Sequence, residues 1–257
     1  MLGNSSARFR FYLALTFLAG LALSSCTTVR PLPPAPTVPP VARPCPRPAL
    51  RRDVVHTVAP GETLWRISKM YSVPIAMIMR TNFLSNQTDI KYGQKLRIPD
   101  AAPIEPVITL FPSKKWKYII IHHSATEGGS SLQFHEHHLS KGWDQGVGYH
   151  FVIDNGASGK QDGQIETTPR WLKQQDGAHC KASDMNTKAI GICLVGNFNH
   201  DQVSCKQMNS LVLLLNQLKR YYRIPSSRIL GHRDVPGSHT ECPGNNFPWK
   251  DLLRQLD

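Results

Sequence analysis

Acidic side chains are scarce in this chain of 257 residues. Lysine and arginine number 30 whereas aspartate and glutamate number 18, which gives a formal net charge of +12 at pH 7. Such a protein is attracted to polymers that carry carboxylates or phosphates. The basic residues are scattered along the chain rather than gathered on one predicted helix, and no known nucleic-acid-reading motif occurs. We therefore expect an anionic partner other than nucleic acid.

The first apolar run is too short to span a bilayer. It extends from Phe11 to Leu23 and follows Arg8 and Arg10, a combination typical of an export signal. Small residues before Cys26 resemble the bacterial lipobox, so we expect residues 1–25 to be a lipoprotein signal peptide and Cys26 to be lipidated. The alternative is a plain signal peptide in which Cys26 has no role. The lipobox predicts an exported protein, anchored by lipid to the bacterial cell envelope.

Proline dominates the segment from Arg30 to Pro48. Proline removes backbone donors and favours extended polyproline II conformations. We therefore predict a proline-rich linker over residues 26–52. At ~3.1 Å per residue, such a spacer holds the next domain tens of ångströms from the lipid.

Residues 54–99 predict two short strands that bracket two helices. Pro60-Gly61 is typical of a turn, and Thr63 can cap a helix that carries its apolar residues on one face. The segment resembles a LysM domain over nearly its whole length, which implies binding to the glycan of peptidoglycan. The alternative is a small βααβ unit that only packs on its neighbour. No sugar-contacting residue stands out.

These features place a LysM domain at residues 53–100 and a connector at residues 101–113. Because any catalytic residues then lie in another domain, we expect deletion of residues 54–99 to weaken wall binding and to spare the cleavage of small soluble fragments.

Strand-like and helix-like segments alternate after the connector, which predicts an α/β domain over residues 114–257. The predicted strands cover 116–122, 148–154, 163–168, 188–195 and 228–231. Apolar residues recur at three- and four-residue spacing over 206–222, which predicts a helix packed on the core. A weaker helix over 130–140 carries His135 and His138, but a zincin motif would need histidine at position 139, which is leucine.

Three imidazoles and one thiol stand beside predicted strand ends. His122 and His123 close the strand 116–122, and His232 and Cys242 follow the strand 228–231. Two imidazoles and one thiolate leave a tetrahedral Zn²⁺ with one open position, which is typical of catalytic zinc. Each residue taken alone is also compatible with ordinary packing.

Three motifs together resemble the zinc amidase family that includes peptidoglycan recognition proteins, bacterial N-acetylmuramoyl-L-alanine amidases and phage endolysin amidases. They are Ile120-Ile121-His122-His123-Ser124-Ala125-Thr126, Gly148-Tyr149-His150-Phe151, and Gly231-His232-Arg233-Asp234 with Thr240-Glu241-Cys242-Pro243-Gly244. The resemblance covers roughly residues 114–256. It implies a mixed central β-sheet flanked by helices, joined here to a small βααβ LysM domain.

The resemblance also implies residue roles. Zinc would be held by His122, His232 and Cys242, and the enzyme would hydrolyse the amide between the muramyl lactyl group and L-alanine. Tyr149 and Thr240 match positions that assist catalysis, although some relatives have lysine in place of Thr240. No carboxylate base stands out.

Adjacent strand residues point to opposite faces, so only one of His122 and His123 can enter a shared site. Periodicity does not choose between them, because the strand is apolar on both faces. The resemblance chooses His122, the residue directly after the apolar run. It further implies that His179 lines the substrate groove.

Other assignments stay open at this level. Cys45, Cys180, Cys193 and Cys205 allow three pairings in an oxidising compartment. We expect a monomer that binds peptidoglycan through both domains and membrane through its lipid. One rival function is a binding-only protein of the same fold, although such relatives typically lack the cysteine ligand. Another is a cytosolic amidase that recycles muropeptides, which conflicts with the export signal.

Overall fold

The computed structural model describes residues 50–256. The predicted signal peptide, Cys26 and nearly all of the proline-rich linker lie outside these residues. Within the described range, no helix has both the length and the apolar character needed to cross a membrane.

The first structured segment contains two strands and two helices in the predicted order. They are β1 (Arg52–Thr57), α1 (Leu64–Tyr71), α2 (Ile75–Thr81) and β2 (Lys95–Ala101). The strands pair antiparallel, and the Thr63 hydroxyl caps α1 by accepting from Arg66 N at 3.2 Å. Both helices pack apolar residues against the strand pair. Leu64, Ile67, Met70 and Ile78 of the helices form one core with Leu96 and Ile98 of β2.

The connector between the two domains is packed along much of its length. Ile104 and Val107 lie against the core of the first domain, and Ile108 and Phe111 lie against the core of the second. The Tyr222 hydroxyl donates to Phe111 O at 2.8 Å. These contacts tie the connector to both domains, and all described residues belong to one compact unit.

A five-stranded mixed sheet forms the centre of the second domain. Its elements are β3 (Tyr118–His123), α3 (Ser131–Ser140), β4 (Phe151–Ile153), β5 (Ile165–Thr167), α4 (Pro169–Leu172), α5 (Met185–Lys188), β6 (Ala189–Leu194), α6 (Cys205–Tyr222), β7 (Ile229–Gly231) and α7 (Trp249–Leu253). The strand order is β5-β4-β6-β3-β7, and β5 alone runs antiparallel to its neighbour. The predicted fold class is confirmed.

Helix α6 covers one face of this sheet. The side chains of Leu211, Leu215 and Leu218 pack with Ile119 and Ile121 of β3. A capping box at Ser204 starts the helix, because the Ser204 hydroxyl accepts from Gln207 N and the Gln207 side chain returns to Ser204 N. On the other face, Ile120 packs with Cys180, Met185, Ala189 and Val235. The two faces therefore separate alternate residues of β3.

The cysteines do not pair within the described part of the chain. The thiols of Cys180, Cys193, Cys205 and Cys242 are free, and Cys45 lies outside the described residues. The pairings among Cys180, Cys193 and Cys205 that the sequence left open are not formed.

Candidate metal centre

The ends of β3 and β7 bring three possible metal ligands together. His122 is the second-last residue of β3, and His232 follows the last residue of β7 directly. Arg233 N donates to Cys242 O at 2.8 Å, which holds the Cys242 loop beside His232. One ligand atom from each of His122, His232 and Cys242 lies within 4.8 Å of the others.

This geometry fits a tetrahedral zinc ion. Zn–N bonds of ~2.0–2.1 Å and Zn–S bonds of ~2.3 Å place nitrogen and sulfur ligands roughly 3.5 Å apart. The separation between His122 Nδ1 and Cys242 Sγ is 3.5 Å. Two imidazoles and one sulfur also match the softness that zinc prefers, and they leave a fourth position for a water or a substrate oxygen.

A chain of hydrogen bonds beneath the site fixes the tautomer of His122. The Ala189 carbonyl accepts from His179 Nε2 at 3.3 Å, which leaves His179 Nδ1 as an acceptor. His122 Nε2 lies 3.0 Å from that atom and therefore carries a proton. His122 Nδ1 then presents a lone pair toward Cys242, which is the form that a metal requires.

His179 is seated by close packing. A Cβ atom at Gly177 or Gly191 would collide with its ring, so both positions need glycine. His179 is 8% exposed and both of its ring nitrogens have protein partners. The structure thus places the predicted groove residue behind a candidate metal ligand.

His150 packs beside His179, and the sequence motif that contains it gave it no predicted role. It is fully buried, accepts from Gly191 N at 2.9 Å and donates to Gln175 O at 3.1 Å. The one sequence feature that could have pointed to a role for His150 is its place directly after Tyr149, in a motif of glycine and apolar residues. Its function as a support depends on contacts distant in sequence.

Burial sets the protonation of the three ligand residues. It holds the pKa of His122 well below its usual range, with His179 as the next largest cause, and it also lowers the pKa of His232. Both imidazoles are therefore neutral at pH 7. Burial raises the pKa of the Cys242 thiol to about 12. A thiolate at this position needs a cation beside it, and a metal ion provides one.

Two predicted catalytic residues border the cluster. The Tyr149 ring lies 5.3 Å from the His122 ring, and burial raises the phenol pKa well above its usual value, so the hydroxyl keeps its proton. Thr240 is exposed, and its hydroxyl accepts from Cys242 N at 3.2 Å. The protonated Tyr149 hydroxyl is hydrogen-bonded to the Cys193 side chain beside the cluster, whereas Thr240 shapes the turn that carries Cys242.

The second histidine of the pair is on the other face. His123 Nδ1 accepts from Phe198 N at 3.2 Å, and the two rings lie 6.1 Å apart. Its backbone N–H donates to Cys242 Sγ at 3.4 Å. His123 therefore contributes main chain to the sulfur environment while its ring packs away from the ligand cluster.

His135 and His138 do not join the cluster. Their Nδ1 atoms accept from Val147 N at 3.4 Å and from Gly148 N at 3.2 Å. These bonds attach α3 to the segment that leads into Tyr149.

Comparison with known proteins identifies relatives of both domains. The family described as N-acetylmuramoyl-L-alanine amidase matches residues 112–245, and the LysM domain family matches residues 56–99. Peptidoglycan-recognition protein SC2 of Drosophila melanogaster is 34% identical over 145 residues, which cover 52% of this chain and 71% of that protein. Peptidoglycan-recognition protein 2 of Holotrichia diomphalia is 27% identical over 139 residues, 49% of this chain and 69% of that protein.

Solved structures give a similar result. The N-acetylmuramoyl-L-alanine amidase LysC from Clostridium intestinale URNW is 31% identical to this chain. The match covers 60% of this chain and 96% of LysC, with a TM-score of 0.46.

Proposed function

Because this chain belongs to the N-acetylmuramoyl-L-alanine amidase family and also contains a LysM domain, we propose that it is a zinc-dependent peptidoglycan amidase. It hydrolyses the amide between the lactyl group of N-acetylmuramic acid and L-alanine of the stem peptide. The observation that carries this proposal is the convergence of His122, His232 and Cys242 within 4.8 Å. Peptidoglycan is then both the substrate and the ligand of the LysM domain.

The chain's own residues prepare the site for this reaction. Zinc held by His122, His232 and Cys242 would supply Lewis-acid chemistry for the amide carbonyl and for the attacking water. Tyr149 keeps its phenolic proton, which is directed to the Cys193 side chain, and in the reaction it would donate a hydrogen bond to the oxygen on which negative charge develops. Thr240, fixed to Cys242 N, presents its hydroxyl at the same rim as a further hydrogen-bonding group.

A binding-only function is the alternative, because peptidoglycan-recognition proteins are among the relatives. Cys242 favours catalysis. A protein that only holds a wall fragment has no need of a thiol buried beside two neutral imidazoles. The lowered pKa of the imidazoles and the raised pKa of the thiol are both compatible with metal binding.

The site of action is part of the proposal. We assign the protein to the bacterial cell envelope, exported and held by lipid on Cys26, with residues 1–25 removed as a signal. Replacement of Cys26 by serine is expected to release the protein from the membrane fraction. Membrane association that is unchanged in an unlipidated Cys26→Ser protein argues against this assignment.

Digestion of purified sacculi tests the catalytic function. The zinc-loaded protein is expected to release stem peptides with a free L-alanine amino terminus and to leave glycan with free lactyl carboxyl groups, both detected by mass spectrometry. The Cys242→Ser protein serves as the control. Sacculi that bind the wild-type protein and stay uncleaved at this bond would leave recognition as the function.

A further inference from the structure

A buried ion pair of the amidase domain lies at the boundary with the LysM domain. Lys160, in the loop after β4, donates to Thr57 O of β1 at 2.9 Å. Its ammonium lies 3.0 Å from the carboxylate of Glu166 in β5, and the two side chains are only 5% and 2% exposed. Burial alone would lower the pKa of Lys160, but the charges of Glu166, Glu62 and Asp154 and the hydrogen bond to Glu166 together outweigh it, so the pKa is raised. Lys160 is therefore charged and bonded to both domains.

The LysM domain adds charges of its own to this cluster. Arg66 of α1 is 5% exposed and lies in the field of the carboxylates of Glu62 and Glu166. Glu62 accepts at 2.8 Å from Ala59 N and lies 2.8 Å from His56 Nε2. The cluster thus contains two cations, Arg66 and Lys160, two carboxylates, Glu62 and Glu166, with one member of each kind from each domain, and the buried carboxyl of Asp154 beside them.

The same boundary contacts helix α3. Glu166 Oε1 accepts from Ser131 N, the first residue of α3, at 2.6 Å. The Tyr92 ring of the LysM domain lies 5.8 Å from the His135 ring, one turn farther along α3. A side chain on Gly93 would also touch Leu132. The LysM domain and its charge cluster therefore hold the first turns of α3.

Helix α3 in turn holds the segment that precedes Tyr149. His135 and His138 accept from the backbone of Val147 and Gly148. Tyr149 follows, with its ring 5.3 Å from His122. Contacts are continuous from the LysM boundary through α3 to the candidate metal centre.

We infer that the LysM domain is a structural part of the catalytic unit, which braces α3 and so positions Tyr149. Lys160 and Glu166 act as positioning residues through this brace. The expectation that deletion of residues 54–99 spares the cleavage of small soluble fragments is replaced by its opposite. Glycan held by the LysM domain then lies at a fixed distance from the metal centre. The turnover consequence rests on the proposed function, whereas the brace itself does not.

Substitution Lys160→Met in the full-length protein tests the brace. It leaves Glu166 and Glu62 buried with a missing cation, so Tm is expected to fall by roughly 10 °C. Hydrogen exchange is expected to rise about tenfold or more in α1 and α3 while α6 keeps its protection. With zinc content unchanged, kcat for a soluble muropeptide is expected to fall about tenfold, with little change in KM.

Two variants on the exposed side of the LysM domain are the controls. Asp53→Asn removes an exposed ion pair with Arg97, and Phe83→Ala truncates a ring that is 95% exposed. Both are expected to change Tm by less than about 2 °C and to leave exchange in α3 unaltered.

A double variant separates pairing from simple loss of packing. Lys160→Met with Glu166→Gln removes both charges, so the loss in Tm is expected to be smaller than the sum of the two single losses. If Lys160→Met is too unstable to purify, calorimetry of the wild-type protein decides, because a braced unit unfolds in one transition.

Separate transitions for the two domains, or unchanged exchange in α3 of Lys160→Met, would overturn the brace. Neither measurement depends on activity. A wild-type protein that unfolds in one transition and never cleaves its substrate would contradict the proposed function and leave the brace intact.

Discussion

Two buried polar clusters lie along the central sheet, and they differ in how their groups are satisfied. At the interface with the LysM domain, Lys160 and Arg66 are matched by Glu166 and Glu62, so the protein supplies both signs of charge. At the end of β3, two neutral imidazoles and a thiol with a pKa of about 12 face one another, and the charge of Arg233 only partly offsets the effect of burial on the thiol. The first cluster carries its own counter-charges, although neither terminal nitrogen of Arg66 has a hydrogen-bond partner among the described residues, whereas the second is a candidate site for a metal cation. This difference separates a structural cluster from a reactive one.

The largest effect is expected at the incomplete cluster. Cys242→Ser removes the anionic ligand, so the protein should lose its zinc and its amidase activity by more than ~100-fold, beyond the usual effect of residues behind a ligand. Elemental analysis and turnover on muropeptides measure the two losses. The exposed thiol of Cys205 offers the control, and Cys205→Ser should keep both. Full activity in a metal-free preparation would remove the basis of the account.

A smaller effect is expected one layer behind the metal. His179→Ala leaves His122 Nε2 without its acceptor, so zinc affinity should fall ~10–100-fold while the protein still binds zinc at high concentration. Zinc competition with a fluorescent chelator measures the affinity. The sequence resemblance assigns His179 to the substrate groove instead. An increase in KM with unchanged zinc affinity would support that assignment and contradict a supporting role.

The smallest effect concerns stability at the interface cluster. Burial, followed by the charge of Glu166, raises the pKa of Asp154 well above its ordinary value of 3.8. The protonated carboxyl therefore contributes stability that is complete below the ordinary value and is lost as the pH rises through the raised one. Asn cannot ionise and does not lose this stability. The Tm of Asp154→Asn relative to that of the wild type should therefore rise by a few degrees from acidic to alkaline pH, at about 2–4 °C per kcal/mol.

Thermal unfolding across this pH range tests the sign. Asp53 is the comparison, because its pKa is lowered by the hydrogen bond from Asp100 N and by Arg97. The Tm of Asp53→Asn relative to that of the wild type should therefore not rise with pH. A Tm difference for Asp154→Asn that is independent of pH would show that Asp154 ionises normally.

The sequence predicted most of the elements because their signals are local. The helix expected over 206–222 spans Cys205–Tyr222, and the strand expected over 116–122 spans Tyr118–His123. Spacing of apolar residues and a capping serine specify such elements within a few residues. The short helices α4, α5 and α7 were not predicted, because four or five residues carry too little periodicity.

The candidate ligands were also predictable from the sequence, since His122 lies at the end of β3 and His232 and Cys242 follow β7. The sequence did not predict the layer of residues behind these candidate ligands. His179 reaches His122 across 57 residues, and its seat depends on glycines at positions 177 and 191. The contact between Lys160 and Thr57 spans 103 residues. Charged residues in a sequence predict exposure, so a buried ion pair at a domain boundary is visible only after folding.

The two histidines at the end of β3 provide the most direct test of the central claim. His122 presents Nδ1 to Cys242, whereas His123 packs against Phe198 on the opposite face. Zinc content and turnover of purified His122→Ala and His123→Ala should therefore differ. The account predicts that His122→Ala loses zinc and activity together, and that His123→Ala keeps one zinc with at most a ~10–100-fold loss in rate. Retention of zinc by His122→Ala together with its loss from His123→Ala would contradict the account.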